Sequence, residues 1–272
     1  MNEITTSSIL PAVRNTSLMY GKTYVGIDFG TSTTVVSIAS FDATNEVIHT
    51  TPLRLSQKLT DGTIYSSEIL PTVIAWFNGN IFVGEGASDL KYKLKRGKNI
   101  WYSFKMELGE DLGSKYYDSE LRDHAPFNIQ NPEDAARVFF SYLKYLITNY
   151  CKNNNLSEDI QYSVSIPASF EANQRKDLLD ALMANGMNVS KQALIDEPNA
   201  AFISYIVSKD TEGKPLYINP DYNSKVLVFD FGGGTCDISI LEIGQSANGF
   251  YSKNIAISKF TKLGGEIGRA HV

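Results

Sequence analysis

Lys225-Val226-Leu227-Val228-Phe229-Asp230-Phe231-Gly232-Gly233-Gly234-Thr235 decides the fold, because the chain writes the same device once before, as Tyr24-Val25-Gly26-Ile27-Asp28-Phe29-Gly30-Thr31. Each copy is a short apolar strand ending in Asp, then a glycine turn and a Thr. A second strand follows, Thr34 to Ser40 after the first turn and Asp237 to Ile243 after the second. Glycine lets the main chain turn sharply and approach a ligand closely. Successive N–H groups in such a turn form a nest for phosphate oxygens. Thr31, Ser32 and Thr33 on one side and Thr235 on the other add hydroxyl donors, and an Asp at each strand end, Asp28 and Asp230, can hold Mg²⁺ through its waters. Either copy alone reads equally well as a tight hairpin with an Asp at its mouth. Two copies in matching strand contexts, about one domain's length apart, predict facing lobes that clamp a triphosphate and its metal.

The bulk numbers are compatible with that reading. The chain has 272 residues, 43% hydrophobic and 20% charged, with a formal net charge of -5. This is enough to bury a core in one large or two modest domains. No long basic run neutralises a phosphate backbone, so nucleic acid is not an expected partner. Nor are there about 18 consecutive apolar residues to span a membrane. Met1 to Gly21 holds no continuous apolar stretch of signal-peptide type, and the default expectation is a cytoplasmic protein. Cys151 and Cys236 lack metal-ligand spacing and are expected to be buried thiols in a reducing compartment.

Residues 1–21 read as a disordered tail. From Asn45 to Ile81 the chain is mostly β, with turn signals at Asp61-Gly62 and Asn78-Gly79; the second sits between Val73–Phe77 and Ile81–Val83 and predicts a hairpin. Lys91 to Lys98 is the one basic cluster, expected as a solvated face. Asn131 caps a helix with Pro132 at its first position and Glu133 and Asp134 in its first turn. Val138, Phe139, Tyr142, Leu143, Leu146, Ile147 and Tyr150 give that helix one apolar stripe, which Asn153 to Asn155 ends. A strand at Tyr162–Ile166 stops at Pro167, and a helix from Glu171 to Asn185 is capped by Gly186. Ala193–Ile195 is short and apolar, a helix opening at Pro198 runs to about Val207, and a surface loop extends from Lys209 to Ser224. The alternation predicts an α/β fold with mixed sheets.

At its motif residues the sequence resembles the actin-like ATPase superfamily, most closely the seventy-kilodalton heat-shock chaperone family. Gly26-Ile27-Asp28-Phe29-Gly30-Thr31 resembles that family's first phosphate motif. Phe229 to Ser239 resembles the second, departing at Phe231 and Cys236. Ser165-Ile166-Pro167-Ala168-Ser169-Phe170 through Gln174-Arg175 resembles its strand-Pro-Ala segment, and Asp196-Glu197-Pro198-Asn199-Ala200-Ala201 its first connection between lobes. The likeness runs from Lys22 to Glu266 and is vague over Asn45 to Gln130. It implies a ribonuclease-H-like, actin-type ATPase fold of two lobes, the second incomplete. Residues 22–208 would form the first lobe, with 51–130 as an inserted peripheral subdomain, and 209–224 a loop. Residues 225–266 would begin the second lobe, and 267–272 form a non-native tail, since Ile267 to Val272 looks like translated sequencing adapter.

The resemblance also implies roles. ATP or ADP would lie against Gly30, Thr31, Ser32, Thr33, Gly232, Gly233, Gly234, Thr235, Gly264 and Gly265, with Asp28 and Asp230 organising hydrated Mg²⁺. Glu197, Asp237 and Thr235 would serve hydrolysis, and Pro167 and Arg175 would report nucleotide state. Without the family, Glu197 also reads as a first-turn acid, Asp237 as an exposed residue of an edge strand and Pro167 as a strand terminator. The family also carries a lysine shortly after a Gly-Asp pair, and it assists hydrolysis. Counted from Gly84-Glu85, that place falls on Ser88, with Lys91 and Lys93 the nearest lysines. The expected function is the ATPase part of a chaperone that couples a Mg-dependent ATP cycle to client polypeptides and co-chaperones through further domains. The fragment itself is expected to be inactive, or nearly so. The alternatives are a nucleotide-sensing actin-like module with little hydrolysis, a sugar or acetate kinase, and an actin-like filament protein.

Overall fold

Strand β1, Thr23–Phe29, shows why the chain folds as it does: Val25, Ile27 and Phe29 are buried while Gly26 and Asp28, on the opposite face, are exposed. The computed structural model describes residues 20–42, 47–113, 116–189, 193–211, 224–233, 236–246 and 249–258. The chain divides into two units, one of Met19–Val164 with Phe170–Leu194, the other of Ser165–Ser169 with the described residues from Ile195 onward.

In the first unit, β1 pairs antiparallel with β2 (Thr33–Asp42), which pairs with β3 (Val47–Pro52). The remaining strands of this part of the chain are β4 (Leu55–Lys58), β5 (Ile64–Ser67), β6 (Ile69–Pro71), β7 (Val73–Phe77), β8 (Asn80–Val83), β9 (Ile100–Tyr102) and β10 (Ile160–Ile166). With β11 (Leu194–Asp196), the main sheet runs β11-β10-β1-β2-β3, and β6 also pairs with β2. The peripheral segment adds the β4–β5 hairpin and a three-stranded sheet, β8-β7-β9. The latter packs Val73, Ala75, Phe82 and Ile100 around Ala87 and Leu90. The predicted Asn78-Gly79 hairpin joins β7 to β8, with both turn residues at positive φ, 50° and 73°. Buried Gln57 ties these pieces together: its amide donates to the Ile69 carbonyl, and its oxygen accepts from the N–H of Glu85 at the start of the one-turn helix α1 (Glu85–Ser88).

Helix α2, Pro132–Asn153, begins where its cap predicts, with the Asn131 side chain accepting from the Asp134 N–H. Val138, Phe139, Leu143 and Ile147 of the expected stripe are buried, and Phe140 joins them. Tyr142, Leu146 and Tyr150, at the stripe's edge, are half-buried. Helix α3, Ala172–Ala184, opens with a capping box between Glu171 and Gln174, and Gly186 follows it at φ 63°. It lies along α2, where Lys144 Nζ donates to the Asn185 carbonyl.

In the second unit, helix α4 runs Glu197–Thr211, further than the expected end near Val207, so the first residues of the predicted 209–224 loop are helical. Residues 212–223 lie outside the described residues. Helix α4 packs on β12 (Ser224–Phe231), which pairs antiparallel with β13 (Cys236–Ser246). Strand β14 (Gly249–Ile257), absent from the sequence reading, completes a β12-β13-β14 sheet. Both cysteines are buried and free, and burial pushes the Cys151 thiol up. Among the described residues no helix is long and apolar enough to cross a membrane.

Candidate functional site

The first glycine turn is built at the end of β1. Phe29 anchors it, fully buried with its ring 4.9 Å from Phe140, 5.9 Å from Phe139 and 6.2 Å from Phe104. Phe29 pairs with Thr34, so the turn comprises Gly30, Thr31, Ser32 and Thr33. A side chain at Gly30 would collide with the Thr33 carbonyl oxygen, which restricts the position to glycine. Thr31 is buried, Ser32 half-buried and Thr33 exposed. Asp28 stands on the exposed face of β1.

A lysine reaches the neighbourhood of this turn, and it is neither Lys91 nor Lys93. Lys105 lies on the 3-10 helix Phe104–Glu107 and is only 2% exposed, its ammonium 5.8 Å from the ring centres of both Phe29 and Phe170. Counting from Gly84-Glu85 led to Ser88, which closes α1, whereas the Lys91 ammonium lies over the Tyr102 ring at 5.0 Å. The available signal is a single cation in the mostly apolar run Ile100-Trp101-Tyr102-Ser103-Phe104-Lys105-Met106. A lysine is almost never fully buried unless it is paired.

The second turn joins β12 to β13. Phe231 pairs with Cys236, and Asp230 lies directly opposite Asp237, which puts two carboxylates side by side on one face of the sheet. Asp237 is not the exposed edge residue that the plain reading of the strand allows. It is 2% exposed, and its Oδ1 accepts from Ser169 Oγ at 3.1 Å. Among the described residues its other oxygen, Oδ2, has no partner, and neither does the hydroxyl of buried Ser239, two residues along on the same face. Glu197 opens α4, half-exposed, ahead of buried Pro198. Beside it, Asp196 Oδ2 accepts from Asn254 Nδ2 at 2.9 Å. Gly232 and Gly233 are half-exposed, while Gly234, Thr235, Gly264 and Gly265 lie outside the described residues. Pro167 is buried where β10 ends, and in the first unit Arg175 Nε donates to the Phe170 carbonyl at 3.0 Å.

Among the described residues no three His, Cys, Asp or Glu side chains gather to ligate a metal directly. The first turn offers backbone N–H groups, hydroxyls and an Asp, a donor set suited to phosphate oxygens and to the waters of a hard cation; the described part of the second offers Asp230, Gly232 and Gly233.

Comparison with known proteins identifies the family. A family model described as "Hsp70 protein" matches residues 24–267, nearly the whole chain. The chain belongs to the Hsp70 family. Among its relatives, the chaperone protein DnaK of Mycoplasma mobile is 29% identical over 242 residues, covering 89% of this chain and 33% of that protein. The heat shock cognate HSP70 protein of Trypanosoma brucei brucei is 30% identical over 218 residues, 72% of this chain and 29% of its own length. DnaK of Thermoplasma volcanium is 29% identical over 245 residues, again 89% of this chain and 33% of the relative. This Hsp70-family chain thus spans about a third of the length of the curated relatives it matches. Membership and the several α/β sheets agree with the expected actin-type ATPase fold.

Proposed function

We propose that this chain is the ATP-binding part of an Hsp70-type chaperone, and that its two glycine turns take the polyphosphate of ATP or ADP between them. The observation that carries the reading is the carboxylate pair on the second turn. Asp230 and Asp237 stand directly opposite one another, and Asp237 Oδ2 is buried without a partner among the described residues. Like charges so placed repel, and a buried carboxylate oxygen without a donor costs stability, so the pair fits a nearby cation and its waters. Mg²⁺ is the ion whose chemistry suits this donor set, because it keeps its waters and binds through one or two carboxylates plus phosphate. Asp28 and Asp230 would hold its hydration shell, and when bound it would neutralise charge on the phosphates.

The chain's own residues then divide the work. Thr31, Ser32 and Thr33, with Gly30 and the N–H groups of the turn, hold phosphate oxygens from one side; Gly232, Gly233, Gly234 and Thr235 do so from the other, and Gly264 and Gly265 add backbone. Thr31 and Thr235 approach the terminal phosphates. Asp237, fixed by Ser169, and Glu197 orient water for attack. Lys105, beside the first turn, supplies positive charge where the γ-phosphate loses its bond, and phosphoryl transfer asks for positioning and charge neutralisation of this kind. A lysine so placed favours hydrolysis over the nucleotide-sensing alternative. Client polypeptides and co-chaperones would engage parts of the protein that correspond to the remaining two thirds of the relatives, with Pro167 and Arg175 passing on the nucleotide state.

Calorimetric titration with ADP tests the reading. Micromolar binding with Mg²⁺ is expected, weakened by more than about a hundredfold when EDTA removes the metal, the worth of two or more charge-assisted contacts. A chain that binds ADP neither with nor without Mg²⁺ does not have this function.

A further inference from the structure

The first turn is held from behind by a residue that the phosphate motif does not contain. Thr72, fully buried between β6 and β7, makes three hydrogen bonds at the turn's base. Its N–H donates to the Ser32 carbonyl at 2.8 Å and its hydroxyl donates to the Gly30 carbonyl at 2.9 Å. The third contact, 3.0 Å between the hydroxyls of Thr72 and buried Thr34, then has a fixed direction. A carbonyl can only accept, so the one proton of Thr72 goes to Gly30 and Thr34 must donate to Thr72. The result is a short chain of bonds, Thr34 to Thr72 to Gly30, closed in the core.

Its consequence lies on the other side of the turn. In a trans peptide the C=O and the following N–H point in opposite directions. Pinning the carbonyls of Gly30 and Ser32 towards Thr72 therefore turns the N–H groups of Thr31 and Thr33 away from it. Two alternate N–H groups are thereby aimed the same way, as an anion nest requires. Gly30 tolerates many conformations, so without the bond to Thr72 the Gly30–Thr31 peptide is free to rotate.

We infer that Thr72 is a positioning residue: it does not touch the nucleotide, but it fixes the peptide planes of the first turn so that the Thr31 and Thr33 amides meet phosphate. The inference rests on the proposed nucleotide function and adds to it a residue some forty positions along the chain from the motif it serves.

Three variants separate positioning from plain packing, each titrated with MgADP and with AMP and each melted thermally. Thr72→Val keeps the shape and loses the hydroxyl; it is expected to weaken MgADP at least about tenfold and AMP much less. Thr72→Ser restores the hydroxyl and is expected to return affinity to within about threefold of wild type. The double variant Thr34→Val with Thr72→Val removes the stranded Thr34 donor, so its melting temperature recovers towards wild type while its MgADP affinity stays low. If Thr72→Val binds MgADP like wild type, or if affinity recovers along with stability in the double variant, Thr72 only packs and the inference is overturned, with the nucleotide function intact. A wild-type chain that binds no MgADP overturns the function itself and, with it, this role.

Discussion

Asp230→Ala is expected to weaken MgADP binding about a hundredfold while leaving metal-free ADP unchanged or slightly tighter. Asp230 supplies no bond to phosphate; its carboxylate would accept from the waters around Mg²⁺. Charge-assisted hydrogen bonds are worth about 1.5–3 kcal/mol each, so losing two accounts for the hundredfold. Without the metal, the same carboxylate only repels the polyphosphate, which is why the metal-free affinity goes the other way. Stability provides a control. Asp230 faces Asp237 across the β12–β13 ladder, and removing one of two like charges at that spacing relieves their repulsion. A variant that binds more weakly yet melts no lower has lost a ligand contact and kept its fold. Equal losses of MgADP and metal-free ADP would show that Asp230 shapes the turn and does not serve the metal.

Lys105→Met should discriminate between nucleotides. Methionine approximates the lysine stem, so the 3-10 helix Phe104–Glu107 and the ring of Phe29 keep an apolar neighbour. What goes is a charge placed near the first turn. The variant is expected to lose about tenfold to a hundredfold in MgATP affinity, the worth of one charge-assisted contact to the γ-phosphate, and little in MgADP affinity. Any single-turnover hydrolysis should fall by about a hundredfold or more, as it does when a preorganised charge-stabilising donor is removed. Equal effects on ATP and ADP would place the ammonium away from the γ-phosphate and return the nucleotide-sensing reading to the field.

What could be read from the sequence follows from how local each signal is. The two turns, the Asn131 cap, the Asn78-Gly79 hairpin and the Gly186 stop are set by residues within a few positions of one another, and they lie where the pattern puts them. Lys105 was missed for the opposite reason. Its burial comes from Phe29 and Phe170, far away along the chain, so neither periodicity nor a count from Gly84-Glu85 could reach it. Strand β14 is illegible because Asn254, Ser252 and Lys253 break the apolar alternation, and the partner of Asn254, Asp196, is far away along the chain. The basic stretch Lys91 to Lys98 reads as the solvated face it was expected to be: Arg96 pairs with Glu107 at 2.6 Å, Lys98 lies 3.7 Å from Glu120, and Lys91 and Arg96 flank Tyr102. Asp237 shows the limit of strand patterns most clearly. Only the arrival of Ser169 from the end of β10 distinguishes a buried, oriented carboxylate from an exposed one.

The claim beneath all of these is that two distant turns grip one polyphosphate, and Mn²⁺ tests it most directly. With ADP present, Mn²⁺ in place of Mg²⁺ broadens the amide resonances of residues close to the bound metal. The amides of Gly30 to Thr33 and those of Gly232 and Gly233 should broaden together, over the same range of nucleotide concentration, and recover together when Mg²⁺ is added in excess. Broadening confined to one turn, with the other sharp throughout, would contradict the claim.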